Sequence, residues 1–334
     1  MRLTMPCVFL VMFSGLVSYT IIAIVFSKSE YYKRRLSYDP LMFGYINPRP
    51  PNSYLREPRK LLEHVCDKDP CLQNKSVNFT LVTFIKSKAN YFQRRELLRR
   101  TWNAVSYMNG GRFEAVFLMG KTSHPATLNL LDVEEERYGD ILQYDGPDDY
   151  DLMPYKVLAG MEWASKHLPS NTLYASADDD FLIDIRKMTH SIQEVMLNAT
   201  KRYNSTLPIM CMFIKGLEEK PLRVQGWKWY VSYDEYRPNI YPPYCHGGMY
   251  VMSLPLAKDL YNTSLVAPML RLDDVWITGI LRRRLNFSDH LVLKMPEVTK
   301  HFGSVNDAVR AAMSKKWDEM KRTFENTTQC QCTL

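Results

Sequence analysis

The chain lacks the features of several common protein classes. No basic stripe interleaved with aromatics is present: 43 Lys and Arg face 36 Asp and Glu over 334 residues, a formal net charge of only +7. Nucleic-acid binding normally shows a denser basic patch, so the mild excess suits a small anionic ligand instead. No internal repeat and no low-complexity tract occurs. The seven cysteines match no zinc-ligand spacing. One stretch, Pro6 to Phe26, lacks charge altogether. What remains is a chain long enough for one large or two medium domains with a sizeable core. Its 21 tyrosines suit a site that stacks on flat or sugar-ring faces.

The uncharged stretch sets the expected compartment. Residues 6–26 are roughly long enough to span a bilayer. A cleavable signal peptide is the competing reading, because small residues occur at 14–18. The apolar run through Ile21 to Phe26 exceeds a usual signal core, which favours an anchor. Basic residues count the other way: Lys28, Lys33, Arg34 and Arg35 follow the span and only Arg2 precedes it. By the positive-inside rule that opposes a lumenal domain. Asn-x-Ser/Thr sequons at Asn74, Asn78, Asn198, Asn204, Asn262, Asn286 and Asn326 outweigh that count, since such sites mark secreted or lumenal loops. Six cysteines after the span, Cys66, Cys71, Cys211, Cys245, Cys330 and Cys332, fit disulfides in an oxidising lumen, with the connectivity open. The expectation is a cytoplasmic tail over 1–5, a signal-anchor over 6–26, a proline-broken stem over 27–76 and a lumenal domain over 77–334.

Within that domain, 78–85 and 115–119 read as buried strands. The pattern over 154–167 predicts a helix, with Pro154 in its first turn and Pro169 beyond its end. A third buried strand over 172–177 runs into Asp178, Asp179 and Asp180. Strand, helix, strand, helix and then carboxylates at a strand end is an α/β nucleotide-fold pattern. Three adjacent carboxylates repel one another, and a divalent cation that also holds substrate phosphates is the common remedy. A solvated acidic turn is the bland alternative, but apolar residues flank the triplet on both sides.

Two further stretches carry chemistry. Arg95, Arg99 and Trp102 fall at helical spacing, so their guanidinium groups either hold an anionic ligand or pair with acids for structure. In the second half, Gly247 and Gly248 permit close backbone approach to a ligand. Asp273 and Asp274 open a helix, as acids favoured by its dipole or with one of them as a general base. At the C-terminus Ser304 is a candidate cap, followed by a core-facing stripe of Val309, Met313, Trp317 and Met320.

Taken in order, Arg-x-x-Leu-Arg-x-Thr-Trp (95–102), Phe-Leu-Met-Gly (117–120), Tyr-Gly-Asp-Ile-Leu (138–142), an Asp-x-Tyr before helical Lys156, Asp-Asp-Asp (178–180), Tyr-Pro-x-Tyr-Cys-x-Gly-Gly-x-Tyr (241–250) and Asp-Asp-Val (273–275) resemble the β1,3-galactosyltransferase family. That family includes β1,3-N-acetylglucosaminyl- and N-acetylgalactosaminyltransferases, with Fringe more distant. The resemblance covers roughly 78–302. It implies a type II Golgi membrane enzyme with a GT-A-like α/β fold that uses a UDP-sugar and Mn2+ and inverts the anomeric centre. The acceptor would be a glycan on a glycoprotein or glycolipid.

Carried over position by position, the resemblance places Asp180 on the metal and Asp179 toward the ribose. Asp178, Arg95 and Arg99 join the nucleotide site, and Asp274 is the catalytic base. His301 would complete the metal shell, with His290 in reserve. Substrate contacts are expected at Trp229, Tyr244, Gly247, Gly248 and Asp273. Asp273 stands where the family has Glu, and Ser176 and Ala177 replace bulkier or basic residues before the triplet. A paired-carboxylate glycosidase would need neither nucleotide nor metal. A lumenal sugar-binding or chaperone-like protein with the same fold is the non-enzymatic alternative.

Overall fold

The computed structural model describes residues 53–202, 207–211, 214–215, 218–295, 298–303, 306–324 and 329–331. The expected tail and membrane span lie outside these residues. Among the described residues no helix is long and apolar enough to cross a membrane. Residues 221–239 form a unit separate from the one holding 45–220 and 240–334, and each is described by itself.

The large unit is a mixed sheet flanked by helices. Its strands are β1 (Tyr54–Arg56), β2 (Phe79–Lys86), β3 (Val105–Met108), β4 (Gly111–Lys121), β5 (Ile141–Pro147), β6 (Leu173–Asp178), β7 (Phe181–Ile183), β8 (Ile209–Cys211), β9 (Ile214–Lys215), β10 (Tyr244–Cys245), β11 (Met249–Ser253), β12 (Val292–Lys294), β13 (Thr299–His301) and β14 (Gln329–Gln331). The main sheet runs β1-β5-β4-β2-β6-β11-β8-β12, and β3 joins β4 to β14. β5, β4, β2 and β6 are mutually parallel; β11 runs antiparallel to β6. Strand β2 is buried along nearly its whole length because both its faces are covered, as parallel strands require.

Helices α1 (Phe92–Arg100), α2 (Pro125–Tyr138), α3 (Met153–His167), α4 (Ile185–Arg202), α5 (Leu254–Ser264) and α6 (Asp307–Arg322) supply the covering layers. Helix α3 starts one residue before the expected helix and buries Val157, Leu158, Met161 and Trp163. Phe84 of β2 stacks on Tyr174 of β6, with ring centroids 5.0 Å apart, and meets Trp163 edge-on. Met313 and Trp317 of α6 are buried, with Val309 and Met320 packed against the same core, as the stripe predicts. The cap of α6 is Asn306, which accepts from Val309 N; Ser304 lies outside the described residues.

The stem boundary needs correction. Tyr54–Arg56 adds an antiparallel strand to the edge of β5, and Cys71 is bonded to Cys330, so residues well before 77 belong to the folded unit. A proline such as Pro58 stops a helix but does not prevent the short edge strand before it from pairing. In a chain-entropy model, closing a 259-residue separation contributes on the order of 5 kcal/mol. A second disulfide, Cys211–Cys245, ties β8 to β10, two residues before the paired glycines. Cys66 is also disulfide-bonded.

Candidate active site

Lys86, the last residue of β2, is the hub of the acidic site. In parallel register it faces Asp178, the last residue of β6. Its Nζ lies 2.9 Å from Asp178 Oδ1 and 3.2 Å from Asp273 Oδ2, and donates to Gly247 O at 3.0 Å. The side chain is 4% exposed. Burial alone would lower the ammonium pKa, but Asp178 and Asp273 outweigh it and hold the group charged, well above the usual lysine range. One buried cation thus joins the Asp triplet to the second acidic pair. No motif in the sequence marks Lys86 as a site residue. Its available signal was a lysine ending an otherwise apolar strand.

The three carboxylates of the triplet point to different partners, because the chain turns sharply after β6. Asp179 is buried; its Oδ2 accepts from Ser87 Oγ and its Oδ1 from Arg94, both at 2.8 Å. Each Asp179 oxygen thus accepts one hydrogen bond within the fold. Ser87 is itself held from below: its carbonyl accepts from buried Lys156 at 2.8 Å, and Lys156 also pairs with Asp148. Asp180 faces His301, with Nε2 to Oδ2 at 3.2 Å. That contact exists because β13 pairs with β7, setting His301 opposite Phe181, on whose ring the imidazole stacks at 4.7 Å. The other oxygen, Asp180 Oδ1, is buried without a hydrogen-bond partner. Burial and neighbouring Asp178 raise the Asp180 pKa, and His301 opposes them. A Cβ on Gly248 would run into the Phe181 ring, so glycine is required there.

Asp274 adjoins Asp273, the second carboxylate that Lys86 pairs with. It caps a π-helical turn, Val275–Leu281, of the kind found at functional sites. Its Oδ1 accepts from Val275 N at 2.8 Å and its Oδ2 from Gly247 N at 3.1 Å. Thr278 Oγ1 fixes the turn by donating to Asp274 O at 2.7 Å and accepting from Cys245 N at 2.9 Å. Burial and the adjacent Asp273 push the Asp274 pKa up to about 7, against the pull of the two N–H groups and Lys86. Asp273, one methylene shorter than the family's Glu, makes its contact with Lys86.

Other expected site residues fall elsewhere. Arg95 is fully buried and gives all five of its N–H groups away, to Glu134, Ser87 Oγ, Lys88 O and Ala89 O. Arg99 binds Asp140 through Nε and NH2 and Glu134 through NH1. Arg95 has no N–H left for an anion and Arg99 is paired with two carboxylates, so both guanidinium groups make the ion pairs of the structural reading. The helical spacing was right, but it could not reveal that α2 brings Glu134 to that face. Trp102 is buried and donates to Phe181 O. Tyr244 donates to Glu219 at 3.0 Å. His290 is exposed and contacts Ser288, leaving His301 beside Asp180. Trp229 belongs to the separate 221–239 unit. Asn74, Asn78, Asn262 and Asn286 are exposed and Asn198 is partly so; Asn204 and Asn326 lie outside the described residues.

Among the described residues no group of three or more His, Cys, Asp and Glu side chains would hold a metal by itself. Asp180 and His301 instead offer two ligands and an orphaned acceptor. That fits a hard divalent ion completed by substrate phosphates and water.

Carboxylates and a buried ammonium gathered at the carboxyl ends of parallel strands define an α/β protein that takes a polar ligand there. The galactosyltransferase family model matches residues 93–291, more than half of the chain, and the chain belongs to that family. Beta-1,3-galactosyltransferase 5 of Homo sapiens is 34% identical over 206 residues, covering 62% of this chain and 63% of that protein. Beta-1,3-galactosyltransferase 1 of Mus musculus is 28% identical over 246 residues, covering 72% of this chain and 69% of that one. Superposition on the WbbM bifunctional glycosyltransferase gives a TM-score of 0.35 at 11% identity, over 76% of this chain and 51% of that one, too shallow to carry an argument.

Proposed function

We propose that this chain is an inverting β1,3-galactosyltransferase that moves galactose from UDP-galactose to a glycan acceptor in the Golgi lumen, on a GT-A-like fold. The observation that carries this reading is Asp274: a carboxylate with a pKa pushed up to about 7, oriented by two backbone N–H groups and next to Asp273, which Lys86 joins to Asp178 of the triplet.

A base works best when its pKa lies near the working pH. Asp274 accepts the proton of the acceptor hydroxyl as that oxygen attacks the anomeric carbon. Gly247 N and Val275 N hold the carboxylate in place and leave each oxygen a further lone pair. Lys86 pairs with Asp273 and ties the Gly247 carbonyl to the same hub. Asp180 and His301 would hold Mn2+, which supplies charge for the departing diphosphate. Single displacement needs no enzyme nucleophile.

The anchor over 6–26 and lumenal glycosylation complete the reading. Purified protein with UDP-galactose, Mn2+ and β-linked hexosamine glycosides tests it. Release of UDP together with a new β1,3 linkage, assigned by NMR, is expected. Absence of turnover across UDP-sugars, with UDP still bound, would favour a non-catalytic sugar-binding protein. Endoglycosidase treatment should increase electrophoretic mobility if the sequons are lumenal.

A further inference from the structure

Residues 240–252 run through the interior of the large unit, and every one of them is buried except His246, which is exposed. The backbone on both sides of it is fixed. Cys245 pairs with Ile214 across β10 and β9, is bonded to Cys211 and donates its N–H to Thr278. Gly247 donates its N–H to Asp274 Oδ2, and its carbonyl accepts from Lys86. From Met249 onward, β11 lies between β6 and β8. The imidazole is oriented as well, since its Nδ1 accepts from Gly248 N at 3.4 Å.

This exposed ring stands beside the carboxylate assigned above as the base. Gly247 packs so closely on Asp274 that an added Cβ would lie 3.4 Å from Oδ2. The Cα of His246 is about 3.8 Å from that of Gly247, the spacing of any trans peptide. An acceptor hydroxyl that reaches Asp274 brings the rest of its sugar ring against whatever lines the approach. On the 240–252 stretch the side chain that faces solvent there is His246.

We propose that His246 selects the acceptor, its imidazole meeting the hydroxyl or acetamide on the carbon next to the attacked hydroxyl. This role rests on the transferase reading above, with Asp274 as the base. Neighbouring substituents of a pyranose are one carbon apart, so a residue adjoining the base's support reaches the one beside the attacked oxygen. Imidazole suits the task. With Nδ1 accepting from Gly248, the ring proton sits on the other nitrogen, as a donor to a hydroxyl or acetamide oxygen. A donor on a fixed backbone discriminates by direction: an epimer turns its oxygen away and leaves the N–H unpaired once the sugar covers it.

The test uses the full chain with UDP-galactose, Mn2+ and the methyl β-glycosides of galactose, glucose, N-acetylgalactosamine and N-acetylglucosamine. Wild type should prefer one of the four; equal kcat/KM for all of them overturns selection. In His246→Ala the ratio of kcat/KM between the best glycoside and the next should shrink by up to about tenfold, the loss of one neutral hydrogen bond. The change should fall mainly on acceptor KM, with UDP affinity by calorimetry unchanged. His246→Gln, which keeps an N–H donor, should restore part of the ratio. An unchanged ratio in natively folded His246→Ala overturns this role. An equal loss for every glycoside, together with weaker UDP binding, also overturns it and marks a structural residue. Imidazole NMR supplies an arm that needs no turnover: with UDP and Mn2+ present, the preferred glycoside should shift the ring signals that His246→Ala removes. If the chain transfers nothing, a shift with any of the four keeps the acceptor contact and removes the transferase reading instead. Ring signals unshifted at saturating glycoside overturn the contact, whether or not the chain turns over.

Discussion

Two regions of this molecule bury clusters of charge, and they differ in what is left over. In the first, Arg95 and Arg99 meet Glu134 and Asp140, two cations against two anions, and every Arg95 donor has an acceptor. In the second, Lys86 faces Asp178 and Asp273, with Asp274 and Asp180 close behind. There anions exceed cations, one carboxylate oxygen is orphaned and another carboxyl is pushed up to about 7. A closed ledger of charge marks structure, because nothing remains for a ligand to satisfy. The unbalanced cluster is where a cation and a proton have reason to bind.

The largest expected effect breaks the second cluster's chemistry alone. Asp274→Asn keeps shape but accepts no proton at neutral pH, so transfer should fall by about two to four orders of magnitude. UDP binding with Mn2+, followed by calorimetry, should persist. If nucleotide binding is lost as well, Asp274 is structural and the contrast between the clusters weakens.

Breaking the closed cluster should act on the fold. Arg95→Met leaves Glu134 buried with only part of its compensation, a change that costs about 3–5 kcal/mol. A thermal melt should show the loss, while the folded fraction keeps its UDP affinity. An unchanged melt with weakened UDP binding would return Arg95 to the nucleotide site.

Removing the orphaned acceptor comes next. Asp180→Asn should weaken Mn2+ and UDP binding together, by tenfold or more. A manganese titration with undiminished activity would remove Asp180 from the metal shell.

The smallest effect is a shift rather than a loss. The base works deprotonated, so kcat/KM should rise about tenfold per pH unit below 7 and level off above it. Lys86→Met removes a cation that holds the Asp274 pKa down, so the midpoint should move to higher pH. A midpoint that stays in place, in a variant that still folds, would show that Lys86 only fills space.

Local chemistry made part of this legible in advance. The strands over 78–85, 115–119 and 172–177 and the helix over 154–167 announced themselves by apolar pattern and proline placement, because those signals act over a few residues. Asp180 and Asp274 stood out for the same reason: like charges placed side by side need an explanation wherever they occur. The sequence by itself also determined that Gly247 and Gly248 admit close approach. Partnership was another matter. Whether Arg95 meets a ligand or Glu134 depends on α2 packing against α1. Whether His301 or His290 meets Asp180 depends on β13 pairing with β7. Lys86 became the hub only when parallel register set β2 beside β6. Charges interact through space at a few ångströms, and only the tertiary fold brings residues 86, 178 and 273 within that range.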